Sequence, residues 1–552
     1  MSDSAENART AGWWEPGETA PETGASAVRR AILDVNRPVI LIRRNGDLAV
    51  GKGGRVVLGE APSGGAHLYP VCAYVPPLHP GNLGDPTFRR RYHLQYAYVA
   101  GAMANGITSV EMVEAAGRAG MIGFFGAAGL PLEEIEAAVD QLQQRLEGRP
   151  FGSNLIHSPA QPEHEAGVVD LYLRKGVRLV SASAYLGLTL PLVEYRVKGI
   201  YRDDHGNIIC PNKVIAKVSR IEVAEKFFAP PPEKLLTKLV NAGRITAREA
   251  ELAKSIPMAE DLTAEADSGG HTDNRPAIAL LPTMIAGRDR AMARYGYQNP
   301  ICVGLGGGIS TPESAAAAFA MGAAYVLTGS VNQACVEAGT SQEVCVMLSE
   351  AGQADITMAP AADMFEMGVK VQVLKRGTMF ALRAARLYEL YTGHDRFEDI
   401  PEKQRKMLER DILRCGFQEA WDRTRSFFMR RDPKQIERAD RDPKHKMALV
   451  FRSYLGQSSR WATIGDPTRK IDYQIWCGPS LGAFNEWVRG SFLEKPENRR
   501  TVTVAMNLLY GAALVTRVNW IRYQGVVLDP EAVRFSPMEL SDINTALEAS
   551  TE

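Results

Sequence analysis

The feature of this sequence that most constrains its fold is an alternation of short apolar runs with helical patterns, which begins near Tyr96 and continues to Ser330. Such alternation is typical of parallel α/β folds, because each helix returns the chain to the same edge of the sheet. About eight strand candidates favour a closed (β/α)₈ barrel, with an open doubly wound sheet as the alternative. The candidates are YAYVAGAMA, MIGFFGAA, PFGSNLI, VRLVSASA, KVIAKVS, LTAEADSGG, PICVGLGGG and AAYVLTGS.

The flanks of this pattern predict further elements, since 552 residues exceed what a barrel alone requires. Residues 1–25 are expected to be a disordered tail. Residues 26–95 are predicted to form a small β-rich N-terminal element, with a two-residue turn at Asn45-Gly46 between two strands. The barrel itself is predicted over residues 96–394.

A helical insertion is predicted at about 227–259, where a proline-rich break precedes two short helical patterns. Barrels often carry lids on their βα loops, so this insertion is expected to lie there as a helical lid. Residues 395–552 lose the strand signals and are predicted to be a mostly helical C-terminal domain.

The charge balance gives no reason to expect nucleic acid or membrane as a partner, because Lys+Arg and Asp+Glu are both 64. The seven cysteines are dispersed, which predicts reduced thiols and a cytoplasmic location. The polar N-terminus is unlike a secretion signal, and the longest apolar run, Ala315 to Leu327, is too short to cross a bilayer. Apart from His271, the histidines are isolated, so no metal site is predicted.

Two glycine loops near the end of the barrel pattern predict a phosphate site. GLGGGIST follows one strand and opens a helix at Thr311, and VLTGSVN follows the next strand. Glycine lets the backbone approach an anion, and the start of a helix adds a favourable dipole. In (β/α)₈ enzymes the loops after strands seven and eight often form one phosphate site, although two tight turns without a ligand are the alternative. The residues concerned are Gly306, Gly307, Gly308, Gly329 and Ser330.

The stretch AEADSGGHTDNR predicts a catalytic loop, because Gly269 and Gly270 directly precede His271 after an apolar strand. The glycines allow close approach of a planar ligand, and a histidine is a plausible general acid near neutral pH. Asp267 and Asp273 flank this histidine and either orient it, contact a ligand, or remain solvated.

Three further strand ends carry candidate ligand contacts. Asn154 ends the strand in FGSNLIHSP, and its amide can both donate to and accept from a flavin ring. Lys217 ends another strand and either faces the mouth or is ion-paired. Met103, Ala104 and Asn105 follow the first barrel strand, with Ser109 as a candidate N-cap of the next helix.

FGSNL, the GGH triplet, the GGGI loop and the TGS loop resemble, in order and spacing, the nitronate monooxygenase superfamily of FMN barrels. Longer stretches are similar to the PfaD family of trans-acting enoyl reductases in polyunsaturated fatty acid and polyketide synthases. This resemblance runs from about residue 30 to about 530 and is carried by EADSGGHTDNRP, GLGGGISTPESAAAAFAMGAAYVLTGSVNQACVEAGTS, MAPAADMFEMGVKVQVLKRGTMF, DPKHKMALVFRSYLG and DYQIWCGPSLGAFNEWV.

The resemblance implies an FMN at the C-terminal mouth of the barrel, with NADPH as the reductant and an enoyl thioester on an acyl carrier protein as the substrate. It implies that His271 is catalytic and that a homodimer forms. It further implies that Gly307, Gly308, Gly329 and Ser330 hold the FMN phosphate, and that Met103, Ala104, Asn154 and Gly270 contact the ring or ribityl chain.

The sequence leaves alternatives open. The nitronate enzymes usually read Glu-Ala-Gly-Gly-His where this chain reads Asp267-Ser268-Gly269-Gly270-His271, which disfavours nitronate oxidation without removing it. A flavin-free barrel that binds a phosphorylated ligand, or a scaffold protein without activity, are the others. The string Gly478-Pro479-Ser480-Leu481-Gly482 is interpreted as a coincidental hydrolase motif, because no histidine follows it.

Overall fold

The computed structural model describes residues 12–61, 68–159 and 162–548. Its N-terminal elements are β1 (Gly12–Glu15), β2 (Glu22–Thr23), α1 (Ala25–Leu33), β3 (Val39–Arg44), β4 (Asp47–Gly51), β5 (Arg55–Leu58), β6 (Tyr69–Val75) and α2 (Pro86–Tyr92). The six strands form one antiparallel sheet in the order β2-β4-β3-β6-β1-β5. The predicted hairpin at Asn45-Gly46 is therefore confirmed as the β3–β4 connection.

The start of this sheet corrects the expected disordered tail, because β1 and β2 lie within residues 1–25. Trp14 is fully buried, and its indole nitrogen donates to the carbonyl of Gly53 over 2.8 Å. A Cβ at Gly51 would stand 2.8 Å from the Trp14 ring, so glycine makes room for it. Burial of this large ring anchors β1 in the sheet. Residues 1–11 lie outside the described residues.

The central part of the chain alternates strands and helices as its sequence predicts. The elements in order are β7 (Tyr98–Ala100), α3 (Val110–Arg118), β8 (Ile122–Phe125), α4 (Leu132–Leu146), β9 (Gly152–Ile156), α5 (Pro162–Lys175), β10 (Leu179–Ser183), α6 (Leu190–Val197), β11 (Tyr201–Arg202), β12 (Ile208–Ile209), β13 (Lys213–Val218), α7 (Ile221–Phe228), α8 (Glu233–Asn241), α9 (Ala247–Ala253), β14 (Asp261–Glu265), β15 (Gly270–His271), α10 (Ala277–Tyr295), β16 (Cys302–Gly306), α11 (Pro312–Ala320), β17 (Val326–Thr328), α12 (Ser330–Gln333) and α13 (Gln342–Ser349).

Eight of these strands close into a barrel in the order β10-β13-β14-β16-β17-β7-β8-β9. Every neighbouring pair is parallel. Each barrel strand falls in one of the predicted runs, so the closed barrel is confirmed over the open sheet. The C-terminal ends of all eight strands therefore meet at one mouth.

The helical insertion exists as α8 and α9, but its predicted place on a βα loop is wrong. Met258 and Ala259 donate their backbone N–H groups to the carbonyls of Ala229 and Phe227, each over 2.9 Å. The insertion thus leaves and rejoins the chain at the C-terminal end of α7. That end of a barrel helix faces the N-terminal ends of the strands, so α8 and α9 cannot cover the mouth.

The N-terminal end of the barrel is closed by α2. Phe88 and Tyr92 are buried against Tyr325, Leu179 and Cys302. Phe88 stacks on Tyr325 with ring centroids 4.0 Å apart, and the Tyr92 hydroxyl donates to Asp261 over 2.7 Å. This packed end leaves the opposite end of the barrel for ligands.

The C-terminal part adds a small sheet and many helices. They are β18 (Ile356–Pro360), β19 (Lys370–Leu374), α14 (Phe380–Gly393), α15 (Glu402–Met407), α16 (Phe417–Arg431), α17 (Pro433–Ala439), α18 (Pro443–Ile464), α19 (Ser480–Val488), α20 (Thr501–Tyr523), α21 (Pro530–Val533) and α22 (Leu540–Glu548). The predicted helical character is confirmed. Elements β18 to α18 share a hydrophobic core of their own, whereas α19 to α22 pack into the core of the barrel and the N-terminal sheet.

Helix α20 is the one described helix long and apolar enough to cross a membrane, with a mean hydropathy of 1.3. The other elements bury 83% of its apolar window. Arg517 of this helix is fully buried and donates to the carbonyls of Ala31, Asp34 and Arg37, which ties α20 to α1. Burial on this scale is the pattern of a core helix.

Candidate active site

The first glycine loop follows β16 at the mouth. Gly307 and Gly308 have φ angles of +84° and +79°, in the left-handed region that glycine tolerates best. A Cβ at Gly307 would lie 2.7 Å from the Ala266 carbonyl, whereas a Cβ at Gly308 would meet nothing within 4 Å. Gly307 therefore serves close packing against the β14 loop, and Gly308 borders open space. Thr311 caps α11 by accepting from the N–H of Ser314 over 3.3 Å.

The second glycine loop follows β17, the neighbour of β16 in the barrel. A Cβ at Gly329 would also meet nothing within 4 Å, and Gly329 caps the N-terminus of α12. Within the described ranges, the N–H groups of Gly308, Ile309 and Gly329 have no hydrogen-bond acceptor. Open space lined by free N–H donors beside two helix N-termini fits a phosphate group.

A segment before α19 closes on both the second glycine loop and the histidine loop. The N–H of Gly478 donates to the Ser330 hydroxyl over 3.1 Å. A Cβ at Gly269 would stand 2.9 Å from the N atom of Cys477, and a Cβ at Gly478 would stand 3.0 Å from the N atom of Gly269. This contact was missed in the sequence, where Gly478 was assigned to a coincidental motif. The signal available was the glycine itself, which close backbone packing requires.

The histidine loop is held at the mouth by a small sheet. β15 pairs antiparallel with β19, which brings Gly270 opposite Gln372 and His271 opposite Val371. β19 in turn pairs with β18. The side chain of His271 is 44% exposed, and its Nε2 lies 3.2 Å from Oδ1 of Asp363.

The ionisation of His271 is set by competing effects. Burial favours the neutral ring, but the carboxylates of Asp363 and Glu265 favour the imidazolium more strongly, so the pKa of His271 is raised. For Asp363, burial raises the pKa but the hydrogen bond from His271 lowers it further, and the net shift is downward. The pair is therefore arranged to carry a proton on the histidine.

The two aspartates that flank His271 in sequence hold the loop rather than the ring. Oδ1 of Asp267 accepts from Asn274 over 2.8 Å and from Gln372 over 2.9 Å. Asp273 accepts two hydrogen bonds from Arg220, at 2.9 and 2.8 Å, and one from Ser219. The Arg220 guanidinium lowers the pKa of Asp273 to about 2.

Asn154 lies at the end of β9, as expected, and its side chain is 6% exposed. Its Oδ1 is buried and has no hydrogen-bond partner among the described residues. Asn154 lines a small cavity of about 10 Å³ with Ala127, His164 and Glu165. A buried acceptor without a partner costs about 1–3 kcal/mol, which a ligand N–H would relieve. The amide therefore fits the edge of a flavin pyrimidine ring.

Lys217 ends β13, where its Nζ lies 2.7 Å from Oε1 of Glu265. The ion-paired alternative for this lysine is thus the arrangement present, and its contact with a cofactor stays a prediction. Glu265 also accepts from the Ser268 hydroxyl over 3.3 Å.

Residues 103–105 follow β7 and line the mouth as a tight turn. The N–H of Met103 donates to the Thr108 hydroxyl over 2.9 Å, and Asn105 has a φ of +58°. Nδ2 of Asn105 lies 3.4 Å from the hydroxyl of Ser459, which joins the barrel to α18. Ser109 accepts from the N–H of Met112 over 3.0 Å, which confirms it as the N-cap of α3.

The structure brings the candidate residues to the same end of the barrel, after β7, β9, β13, β14, β16 and β17. Within the described part of the chain, no three His, Cys, Asp or Glu side chains form a group that would hold a metal ion.

Comparison with known families gives two matches. The nitronate monooxygenase family matches residues 88–391, more than half of the chain. The inserted helical domain of [acyl-carrier-protein] S-malonyltransferase matches residues 394–473.

Among solved structures, the enoyl reductase domain of MlnA from the macrolactin biosynthesis cluster of Bacillus amyloliquefaciens is 40% identical, with a TM-score of 0.75. The match covers 80% of this chain and 99% of that domain.

Among curated relatives, one component of the polyunsaturated fatty acid synthase of a Thraustochytrium species is 47% identical over 81% of this chain and 30% of its own length. Polyketide biosynthesis protein PksE of Bacillus subtilis is 47% identical over 79% of this chain and 56% of its own length. The chain therefore spans between about a third and just over half of these two relatives.

Proposed function

The chain belongs to the nitronate monooxygenase family, and from that premise we propose that it is an FMN-dependent enoyl reductase. It uses NADPH to reduce the 2,3 double bond of enoyl thioesters carried on an acyl carrier protein, in polyunsaturated fatty acid or polyketide biosynthesis. The observation that carries the proposal is the enoyl reductase domain of MlnA, which this chain covers over 99% of its length at 40% identity.

The geometry of the mouth supports FMN as the cofactor. The N–H donors of Gly308, Ile309 and Gly329 suit the phosphate, and the orphaned Oδ1 of Asn154 suits a donor on the ring edge. Met103, Ala104, Asn105, Lys217, Gly269, Gly270, Gly306, Gly307 and Ser330 border the same end of the barrel. When bound there, the flavin supplies hydride transfer, and the protein supplies position and charge.

His271 is the residue that we assign to proton transfer. Reduction of an enoyl thioester adds a hydride at the β-carbon and a proton at the α-carbon, so a donor is required at the mouth. The imidazole is partly exposed, and the neighbouring carboxylates keep it protonated near neutral pH. The β15–β19 pairing holds its backbone in place.

Carrier-bound acyl chains are the proposed substrates because the two relatives are a fatty acid synthase component and a polyketide biosynthesis protein. Both are longer than this chain. We propose that the chain works with other synthase components and as a homodimer.

Nitronate oxidation is the second candidate function, and the family match over residues 88–391 favours it. The loop Asp267-Ser268 before Gly269 differs from the Glu-Ala that the nitronate enzymes usually carry, which weighs against this chemistry.

The test supplies the flavin-loaded protein with NADPH and a trans-2-enoyl thioester without oxygen. We expect NADPH consumption matched by a saturated thioester product. The saturated thioester of equal length is the control, because it cannot accept hydride. Oxidation of an alkyl nitronate in air, without enoyl reduction, would replace the proposal by the second candidate.

A further inference from the structure

We propose that Asp363 is a positioning residue for His271, which fixes the orientation of its imidazole and stabilises its protonated form. The inference rests on the proposed function and adds to it a residue from outside the barrel. Asp363 lies between β18 and β19, 92 positions after His271.

The geometry fixes which ring nitrogen is engaged. Nε2 of His271 faces Oδ1 of Asp363 at 3.2 Å, so Nδ1 is left to face away from that carboxylate. A carboxylate on one ring nitrogen selects the tautomer that donates to it, and it stabilises the imidazolium when both nitrogens carry protons. The proton available for transfer is therefore the one on Nδ1.

The Asp363 loop is itself anchored. Its Oδ1 accepts from the N–H of Met364 over 3.1 Å, and the carbonyl of Ala362 accepts from Nε of Arg452 over 3.0 Å. Arg452 lies on α18 and also pairs with Glu366 at 3.4 Å. The orientation of His271 thus depends on the helical region of residues 394–473.

Glu366 adds a second tie to the same helix. Its Oε1 lies 2.9 Å from Nδ1 of His445, a fully buried side chain at the start of α18. Nε2 of His445 lies 2.9 Å from Oε1 of Gln435 on α17. A buried ring between two acceptors holds the β18–β19 loop firmly against both helices.

The charges that face His271 come from three elements. Asp363 lies on the β18–β19 loop, Glu265 ends β14, and Lys217 ends β13. Lys217 is paired with Glu265 at 2.7 Å, which offsets part of the effect of each. The carboxylate without a cationic partner other than His271, among the residues that the structure describes, is that of Asp363, so its removal should matter most.

The first variant is Asp363→Asn, which removes the charge and keeps the shape. The pKa of His271 is measured by NMR of ¹⁵N-histidine-labelled, flavin-loaded protein, with His271→Gln to assign its signal. We expect a lower pKa in Asp363→Asn, restored by Asp363→Glu. Asp395→Asn is the matched control, because Asp395 is 88% exposed and pairs with Lys444 on α18.

The second readout is kinetic. The rate of enoyl reduction should begin to fall at lower pH in Asp363→Asn than in the wild type, because His271 loses its proton earlier. Reduction of the flavin by NADPH should keep its rate. A pKa of His271 that is equal in Asp363→Asn and wild type would overturn the pairing.

The two proposals fail separately. If wild-type protein reduces no enoyl thioester but the pKa of His271 still falls in Asp363→Asn, the proposed function is wrong and the pairing stands. If enoyl reduction proceeds with an unchanged pH profile in Asp363→Asn, the positioning role is wrong and the function stands.

Discussion

At the scale of single residues, the mouth contains side chains that hold loops and side chains that remain available to a ligand. Asp267 and Asp273 belong to the first kind, since each accepts several hydrogen bonds from its own loop or from neighbouring elements. His271 and Asn154 belong to the second, one being partly exposed and the other having a buried oxygen without a partner among the described residues.

The first prediction concerns His271→Ala. The variant should bind flavin and accept electrons from NADPH, because the ring does not contribute to the glycine loops. Enoyl reduction should fall by about 10²–10⁴, the usual contribution of a general acid. Stopped-flow measurement of the two half-reactions separates these effects. An unchanged rate of enoyl reduction would remove His271 from the mechanism.

The second prediction concerns Gly329→Val. The new side chain points into open space and its Cβ meets no protein atom within 4 Å, so the fold should persist while the phosphate site is filled. We expect mostly apoprotein, read from the ratio of flavin to protein absorbance. Gly393→Val is the matched control, since Gly393 also borders open space but lies at the end of α14. Full flavin occupancy in Gly329→Val would contradict the site.

Much of the site was predictable at this scale, because glycine loops and a histidine after a strand leave local signals. Asp363 was missed, because its contact with His271 spans 92 positions and no local pattern links them. The contact of Gly478 with Ser330 spans 148 positions and was missed for the same reason.

At the scale of elements, the barrel strands were predictable because each is an apolar run long enough to stand out between helices. β11, β12 and β15 have only two residues each, too few for a periodic pattern, and they were missed. The insertion α8–α9 was recognised but placed at the wrong end of the barrel. Its sequence does not reveal that α7 comes first and carries the chain away from the mouth.

The third prediction concerns the tie between β13 and the histidine loop. Arg220→Gln should destabilise the protein by about 0.2–1 kcal/mol, since the Arg220–Asp273 pair is partly exposed. Asp273 has a pKa of about 2 when folded, against about 3.9 in an unfolded chain. The contribution of the pair is therefore complete above about pH 4 and is lost as the pH falls toward 2.

Urea unfolding midpoints of wild type and Arg220→Gln, measured from pH 7 downward, should approach each other as Asp273 takes up its proton. Arg220→Lys is the control and should keep part of the difference. A gap between the midpoints that stays constant at every pH would contradict the role of this carboxylate.

At the scale of the whole molecule, the helical region of residues 394–473 reaches the barrel mouth at two points. Asn105 meets Ser459 of α18, and the Asp363 loop is tied to Arg452. The end of α16 adds a third approach, because burial and then the charge of Arg431 lower the pKa of His164 at the start of α5. Cationic side chains at the end of α16 therefore border the entrance.

The fourth prediction concerns docking of an acidic carrier protein. Charge reversal at Arg430 and Arg431 should raise KM for a carrier-bound substrate by about threefold to tenfold, and leave KM for a small thioester unchanged. Lys406→Glu with Arg410→Glu is the matched control, since both positions are more than 70% exposed. Equal effects on both substrates would contradict docking at α16.

The measurement that tests the account most directly is the absorption spectrum of the purified protein, followed without oxygen as NADPH and then a trans-2-enoyl thioester are added. The account predicts the bands of an oxidised flavin, their bleaching by NADPH, and their return with the thioester. Bleaching without return would keep the cofactor and contradict the substrate. A spectrum without flavin, unchanged after FMN is added, would contradict the central claim that the two glycine loops hold this cofactor.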